Sequence, residues 1–315
     1  TIGRQFATAL STMGIFDGIA FDVDHPRTSY GALAGAEPDA SSLGFSTTTR
    51  EYGAYLQFHN RPAASPMWSM TLGGVGSYRQ GEIDREFAYL RTTFNSRHFS
   101  LFAAQELDIN RGWKSAREGG SVATPTSTFA IAQISLSDAL SVYGGMDNRR
   151  NVRLYRDYQN PEITFDDSFR QGVWGGTSLN LFRRLRMSAD VRSSSGGSAG
   201  DATSYTGSLS ISRITRLQGA LHARATRFTG LVSEGKLQSV SAEIHPFGPL
   251  RVEFTAGTRV TSHPLDATTS TRMDWTGIDA DIGISRSLYV MFSTSRETGA
   301  LDHTQLTYAS LSYRF

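Results

Sequence analysis

Apolar and polar residues alternate with a period of two along most of the chain. In "GIDADIGIS", residues 277 to 285, Ile278, Ala280, Ile282 and Ile284 share one parity. Gly277, Asp279, Asp281, Gly283 and Ser285 share the other. Successive side chains of a β-strand point to opposite faces, so such a run has one apolar and one polar face. "LRVEFTAGTRV" sets Leu250, Val252, Phe254 and Ala256 against Arg251, Glu253, Thr255, Gly257 and Arg259, and "LRMSADVR" sets Leu185, Met187, Ala189 and Val191 against Arg186, Ser188, Asp190 and Arg192. No helical period of comparable strength competes. The pattern predicts sixteen strands, over 13–23, 48–59, 66–79, 84–95, 98–109, 127–136, 139–149, 169–182, 185–193, 203–213, 216–228, 235–245, 250–262, 272–285, 287–297 and 302–315. The first is the weakest, and "STFAIAQISL" has apolar residues on both parities, which sets the expected range at 14 to 18.

Two architectures use such strands. In a soluble sandwich the apolar face meets a second sheet; in a membrane barrel it meets lipid and the polar face encloses water. Connections argue for the barrel. Tight ones fall at 96–97, 137–139, 183–184, 214–215, 246–249 and 286, and looser ones at 24–47, 110–126, 150–168, 194–202, 229–234 and 263–271. Short periplasmic turns alternating with longer external loops, with both termini periplasmic, is the order expected of an up-and-down transmembrane barrel. At the tight-turn ends the apolar parity carries Phe58, Trp68, Phe94, Phe99, Tyr313 and Phe315. Aromatic rings favour the headgroup level, so this row reads as an interfacial girdle.

The chain ends in "TYASLSYRF", with Phe315 last and Tyr313, Leu311 and Ala309 on its face. This resembles the terminal strand of bacterial outer-membrane β-barrel proteins of the porin-like kind; no subfamily motif is present. The glycine usual in that motif is absent, Ser310 being the nearest small residue. The resemblance implies an outer-membrane location, recognition of the last strand by the barrel-insertion machinery, and closure of that strand on the first. The expected organisation is a barrel over 13–315 preceded by residues 1–12, "TIGRQFATALST", as a periplasmic opening segment, a plug or the stump of a missing domain.

Composition narrows the alternatives. No window approaches the roughly 18 apolar residues of a membrane helix, and cysteine is absent, which excludes disulfides, thiolate metal sites and cysteine nucleophiles. A net charge of +2 without a basic tail gives no case for nucleic acid. Of 31 cations only Lys114 and Lys236 are lysines. A GC-rich genome accounts for that blandly, while Arg is also the better bidentate partner for carboxylate and phosphate. The chain starts with Thr1 and shows no signal peptide, as a processed chain or a piece of a longer one does.

About sixteen strands enclose more space than side chains fill, so water enters unless something plugs it. The expected lining comprises Glu106, Asp108, Arg186, Asp190, Arg192, His222, Arg224, Glu243, Arg251, Glu253, Arg259, Asp279 and Asp281. With five Arg and seven acids, it either solvates the lumen and pairs across strands for a few tenths of a kcal/mol per pair, or sets a transverse field with a weak cation preference. Residues 110–126 are the best candidate for a loop folding inward as a constriction.

Candidate chemistry is thin. His98 and Ser100 have the H-x-S spacing of outer-membrane phospholipases, but they lie beside a periplasmic turn on the lumen parity, without an Asn to orient the imidazole. His59, His222 and His245 have no metal-binding spacing. Asp22 and Asp24, at the expected external end of the first strand, form a solvated rim or share Ca²⁺. The charged run 150–170 is a solvated loop or a hairpin touching lipopolysaccharide phosphates. No catalytic, metal or cofactor site is expected. The leading expectation is a non-enzymatic porin-like channel for passive diffusion of small hydrophilic solutes, with the lipid bilayer and lipopolysaccharide as surroundings. The alternative is a barrel that anchors or exports something for a larger cell-envelope assembly.

Overall fold

A computed structural model describes residues 1–7, 10, 14–39, 41–60, 65–152, 154–155, 170–182, 184–196, 200–214, 218–264, 266–299 and 303–314. Phe315 and residues 156–169 lie outside these, and so do Arg153, Arg183 and Thr215. The strands are β1 (Ile2–Phe6), β2 (Ile15–Asp24), β3 (Thr28–Ala36), β4 (Thr49–His59), β5 (Met67–Arg79), β6 (Glu82–Asn95), β7 (Phe99–Ile109), β8 (Ala123–Ser135) and β9 (Leu140–Arg149). They continue as β10 (Arg170–Leu181), β11 (Leu185–Ser195), β12 (Ala202–Ser212), β13 (Ala220–Gly230), β14 (Glu234–Phe247), β15 (Leu250–His263), β16 (Asp266–Gly283), β17 (Leu288–Gly299) and β18 (His303–Tyr313). A single short helix, α1 (Trp113–Arg117), interrupts them among the described residues. The fold is all-β and antiparallel up-and-down, and the eighteen strands among the described residues fall within the expected range.

The chain forms two compact units. The first comprises 1–134, 144–172 and 196–198, the second 135–143, 173–195 and 199–315. In the first, each strand from β1 to β8 is antiparallel to the next. In the second the same holds from β11 to β18.

Two strands exceed the sixteen expected. β3, "TSYGALAGA", is built of Gly and Ala, which have poor strand propensity and little hydrophobic contrast between parities. Its extra reversal moves Asp24 to the other end of the sheet: Asp24 lies opposite Ser29, and Thr28 opposite Phe58. The two aspartates therefore approach the tight-turn end, not the external rim. β1 pairs with β2 from Ile2↔Ile19 to Phe6↔Ile15, so the opening segment starts as a strand. The connections expected at 229–234 and 263–271 are hairpin tips. Gly230 N–H donates to the Ser233 carbonyl (2.9 Å), and β16 starts at Asp266, because Thr-rich polar runs make good strands.

One face of each unit is apolar and exposed. In the first unit it includes Phe21, Tyr30, Leu56, Leu72 and Leu90, in the second Phe254, Ile278, Phe292 and Leu311, the last 70 % exposed. Contiguous exposed apolar surface of this kind marks a membrane or partner contact. The first unit buries its core on the opposite face, where Phe16, Leu33, Val75, Phe87 and Tyr89 pack beneath Leu10. Leu10 and Phe16 are fully buried, and burial of each such side chain contributes about 1.5–3 kcal/mol. Gly73 makes room for Leu10: a Cβ there would stand 2.5 Å from the Leu10 Cδ2.

Candidate functional site

In the second unit the ion-paired row lies on the face opposite the exposed apolar row, while Arg227, Lys236, Arg272, Asp274 and Arg296 share the apolar parity. Cross-strand register aligns Arg186, Ser210, His222, Ser241, Thr255 and Gly277 in one row, so the eleven expected lining residues of β11, β13, β14, β15 and β16 all share that face. Register also sets Glu243 against Glu253 and Glu253 against Asp279. Directly opposed like charges destabilise a sheet, and Arg251 offsets them. Its Nε donates to Glu243 Oε2 (2.9 Å), its Nη1 to Asp281 Oδ2 (2.8 Å), and its Nη2 to Glu253. The planar guanidinium thus ties three strands together in a way a Lys cannot. His245 Nε2 lies 2.9 Å from the other Glu243 oxygen. Arg186 donates to Ser178 Oγ (3.2 Å), the Arg192 guanidinium sits 5.6 Å above the Trp174 ring, Asp190 lies opposite Thr206, and Arg259 lies between Leu237 and Met273.

Glu106 and Asp108 belong to the first unit and are brought together with residues the sequence did not single out. Arg85 Nη2 donates to Asp108 Oδ1 and to Glu106 Oε2, both at 2.7 Å. Asp108 also accepts from Thr126 Oγ1 (2.9 Å) and from Lys114 Nζ (3.2 Å). Asp108 is 2 % and Lys114 5 % exposed. One buried and one half-buried carboxylate thus meet two cations, which balances the charge that burial would otherwise penalise. Burial pushes the Lys114 ammonium below its ordinary range, against the pull of Asp108.

Lys114 comes from α1, in the connection expected to fold inward. Four further contacts latch that connection to β6, to β8 and to Arg150 just past β9. Trp113 Nε1 donates to the Ile83 carbonyl (2.7 Å), Arg111 Nε to Glu86 Oε2 (2.8 Å), Asn110 Nδ2 to Thr124 Oγ1 (2.8 Å), and Arg150 pairs with Glu118. A Gly-rich, charged run reads as a loop in sequence; only its partners on β6, β7 and β8 reveal the docking.

Among the aromatics, Trp68 lies opposite Phe94, whose ring centroid is 5.6 Å from that of Phe99, and Phe58 lies opposite Met70, all on the apolar face. Tyr313 is exposed opposite Leu288, and Phe315 lies outside the described residues. His98 occupies the turn before β7, and no hydrogen bond joins it to Ser100. A Ser–His–Asp contact occurs elsewhere, with Ser29 Oγ 3.0 Å from His59 Nε2. The Ser29 hydroxyl donates to Asp24, and His59 Nδ1 faces the Asn60 carbonyl at 3.2 Å, so the geometry is that of a cross-strand polar tie. Among the described residues no group of three or more His, Asp and Glu side chains is arranged to hold a metal.

No family model matches the sequence, and no curated relative matches it. Among solved structures the chain is similar to a bacterial polysaccharide outer membrane secretin (TM-score 0.44, 10 % identity, covering 93 % of this chain and 100 % of that one). It is similar also to a loop-L8 deletion mutant of OmpT, an outer membrane protein of Vibrio cholerae (0.45, 8 %, 94 % and 99 %). A third is an anion-selective porin from Comamonas acidovorans (0.45, 10 %, 94 % and 95 %). The chain is all-β and antiparallel up-and-down by its own strands, and these porins and other outer-membrane proteins are what it is similar to.

Proposed function

We propose that this chain is an outer-membrane β-barrel channel through which small hydrophilic solutes diffuse passively, its lumen lined by the mixed-charge face. The observation that carries this reading is the opposition of faces on single strands. Ile278 and Phe254 are exposed on one side, while Asp281, Glu253 and Arg251 join in an ion-paired row on the other. A soluble sandwich needs the reverse, with isoleucines in a dry centre. In hydrocarbon a sheet must close so that no backbone amide is left unpaired, and a wall of this many strands surrounds water. The latched connection at 110–122 narrows the passage in this reading.

Purified protein in a planar lipid bilayer tests it. Stepwise conductance in KCl is expected, and current no greater than that of the bare membrane overturns the channel.

A further inference from the structure

The charged face of the second unit contains a groove of about 480 Å³ whose lining combines the Trp275 ring and several hydroxyls with His222, Arg224 and Glu253. Register places Arg224, Ser239, Gly257 and Trp275 in a single cross-strand row over β13 to β16. The adjacent row carries His222, Ser241 and Thr255. Trp275 lies across its neighbour: a Cβ on Gly257 would fall 2.1–2.6 Å from three atoms of the six-membered ring, so only glycine leaves the indole this bed. Trp174 on the same unit already lies under Arg192. Trp275 has no ring, cation or hydrogen-bond partner among the described residues.

The row's polar groups are likewise unspent. Arg224 makes no ion pair among the described residues, in contrast to Arg251, and the hydroxyls of Ser239, Ser241 and Thr255 have no side-chain hydrogen bond there. Neighbouring strands stand about 4.8 Å apart, so about 10 Å separates the bed of the indole at Gly257 from Arg224. That span admits one six-membered ring. We propose that this groove is a binding subsite for a pyranose sugar, one C–H face against Trp275 and its hydroxyls meeting Ser239, Ser241, Thr255 and Arg224. A sugar ring is the water-soluble solute with an apolar face and a rim that both donates and accepts, as serine and threonine hydroxyls do. A simple ion has no use for the indole, and an apolar solute none for the hydroxyls. Pockets of this size ordinarily combine an apolar wall with a few placed polar groups.

The proposal deepens the channel reading by naming a solute class, and two measurements separate them. Maltohexaose is added to the conducting protein in a bilayer, with a polyethylene glycol of equal hydrodynamic size as control. The sugar alone is expected to interrupt the current. Trp275→Ala should raise the blocking concentration about tenfold, the upper range of an aromatic contact, while Trp275→Phe retains most of the block. Tryptophan fluorescence of the detergent-solubilised protein is titrated in parallel. A saturable maltohexaose shift lost in Trp275→Phe supports the subsite even without conductance. Equal block by both solutes, an unchanged Trp275→Ala, or a flat wild-type titration overturns it. Should Trp275→Ala not insert, Arg224→Gln is expected to weaken the block severalfold, and an unchanged block refutes the role of the row.

Discussion

Leu10 shows how one residue decides what a face does. It projects onto the face of the first unit that carries Glu106 and Asp108, and there it completes a dry cluster with Phe16, Leu33, Val75, Phe87 and Tyr89. The alternation rule alone assigns that face to water. Its apolar members are spread over β2, β3, β5 and β6, one each on the first three and two on the last, and only their meeting makes a core. Leu10→Ala removes packing that a Gly-floored site has no side chain to refill, so a loss of about 2–5 kcal/mol is expected. A lowered urea midpoint for refolded protein in detergent checks it, and a midpoint equal to wild type would place Leu10 outside the cooperative core. The Arg85–Asp108–Lys114 cluster makes the same point for charge. Alternation sets Asp108 on the polar parity of its strand, but its cations come from β6 and from α1, and no spacing in the sequence links them.

At the scale of the strand and its neighbours, the alternating segments of β11 to β18 were legible in number and in parity, with ends a few residues out, β16 starting at Asp266 where 272 was expected. Their apolar and polar parities contrast strongly, and a one-residue slip would exchange every side chain between faces. β3 was not legible for the converse reason, since Gly and Ala give neither parity an identity. Because a strand reverses direction, missing one also misplaced Asp22 and Asp24 along the axis. The row around Arg251 yields a functional expectation. Arg251→Gln leaves Glu243, Glu253 and Asp281 without their shared cation, and a half-exposed pair of this type contributes at most about 1 kcal/mol to stability. The fold should therefore persist while the charged row becomes more acidic. Under a tenfold KCl gradient the reversal potential is expected to move toward that of potassium. A potential identical to wild type would mean that permeating ions do not approach this row.

For the whole molecule, the question is which parity meets lipid. Ile278→Arg puts a guanidinium into the exposed apolar row, with an expected cost of about 2–4 kcal/mol if that row lies near the bilayer midplane. Asp279→Asn, one residue away on the other face, removes a charge from the polar parity and should leave folding almost unchanged. The folded fraction in lipid vesicles over a urea series distinguishes the two. Equal effects, or a larger one for Asp279→Asn, would contradict the assignment of faces and with it the membrane location.

The period-two pattern by itself determined the all-β antiparallel class, the strand number to within two, and which side chains share a face in the second unit. These follow from local covalent geometry: alternation is a property of each strand before it meets another. Tertiary structure alone decided the rest. It set the Leu10 core, the latch of α1 on Asp108, and the single row that joins Trp275 to Arg224. Each depends on which residues of different strands fall opposite one another, a matter of register and docking that neighbours along the chain do not encode.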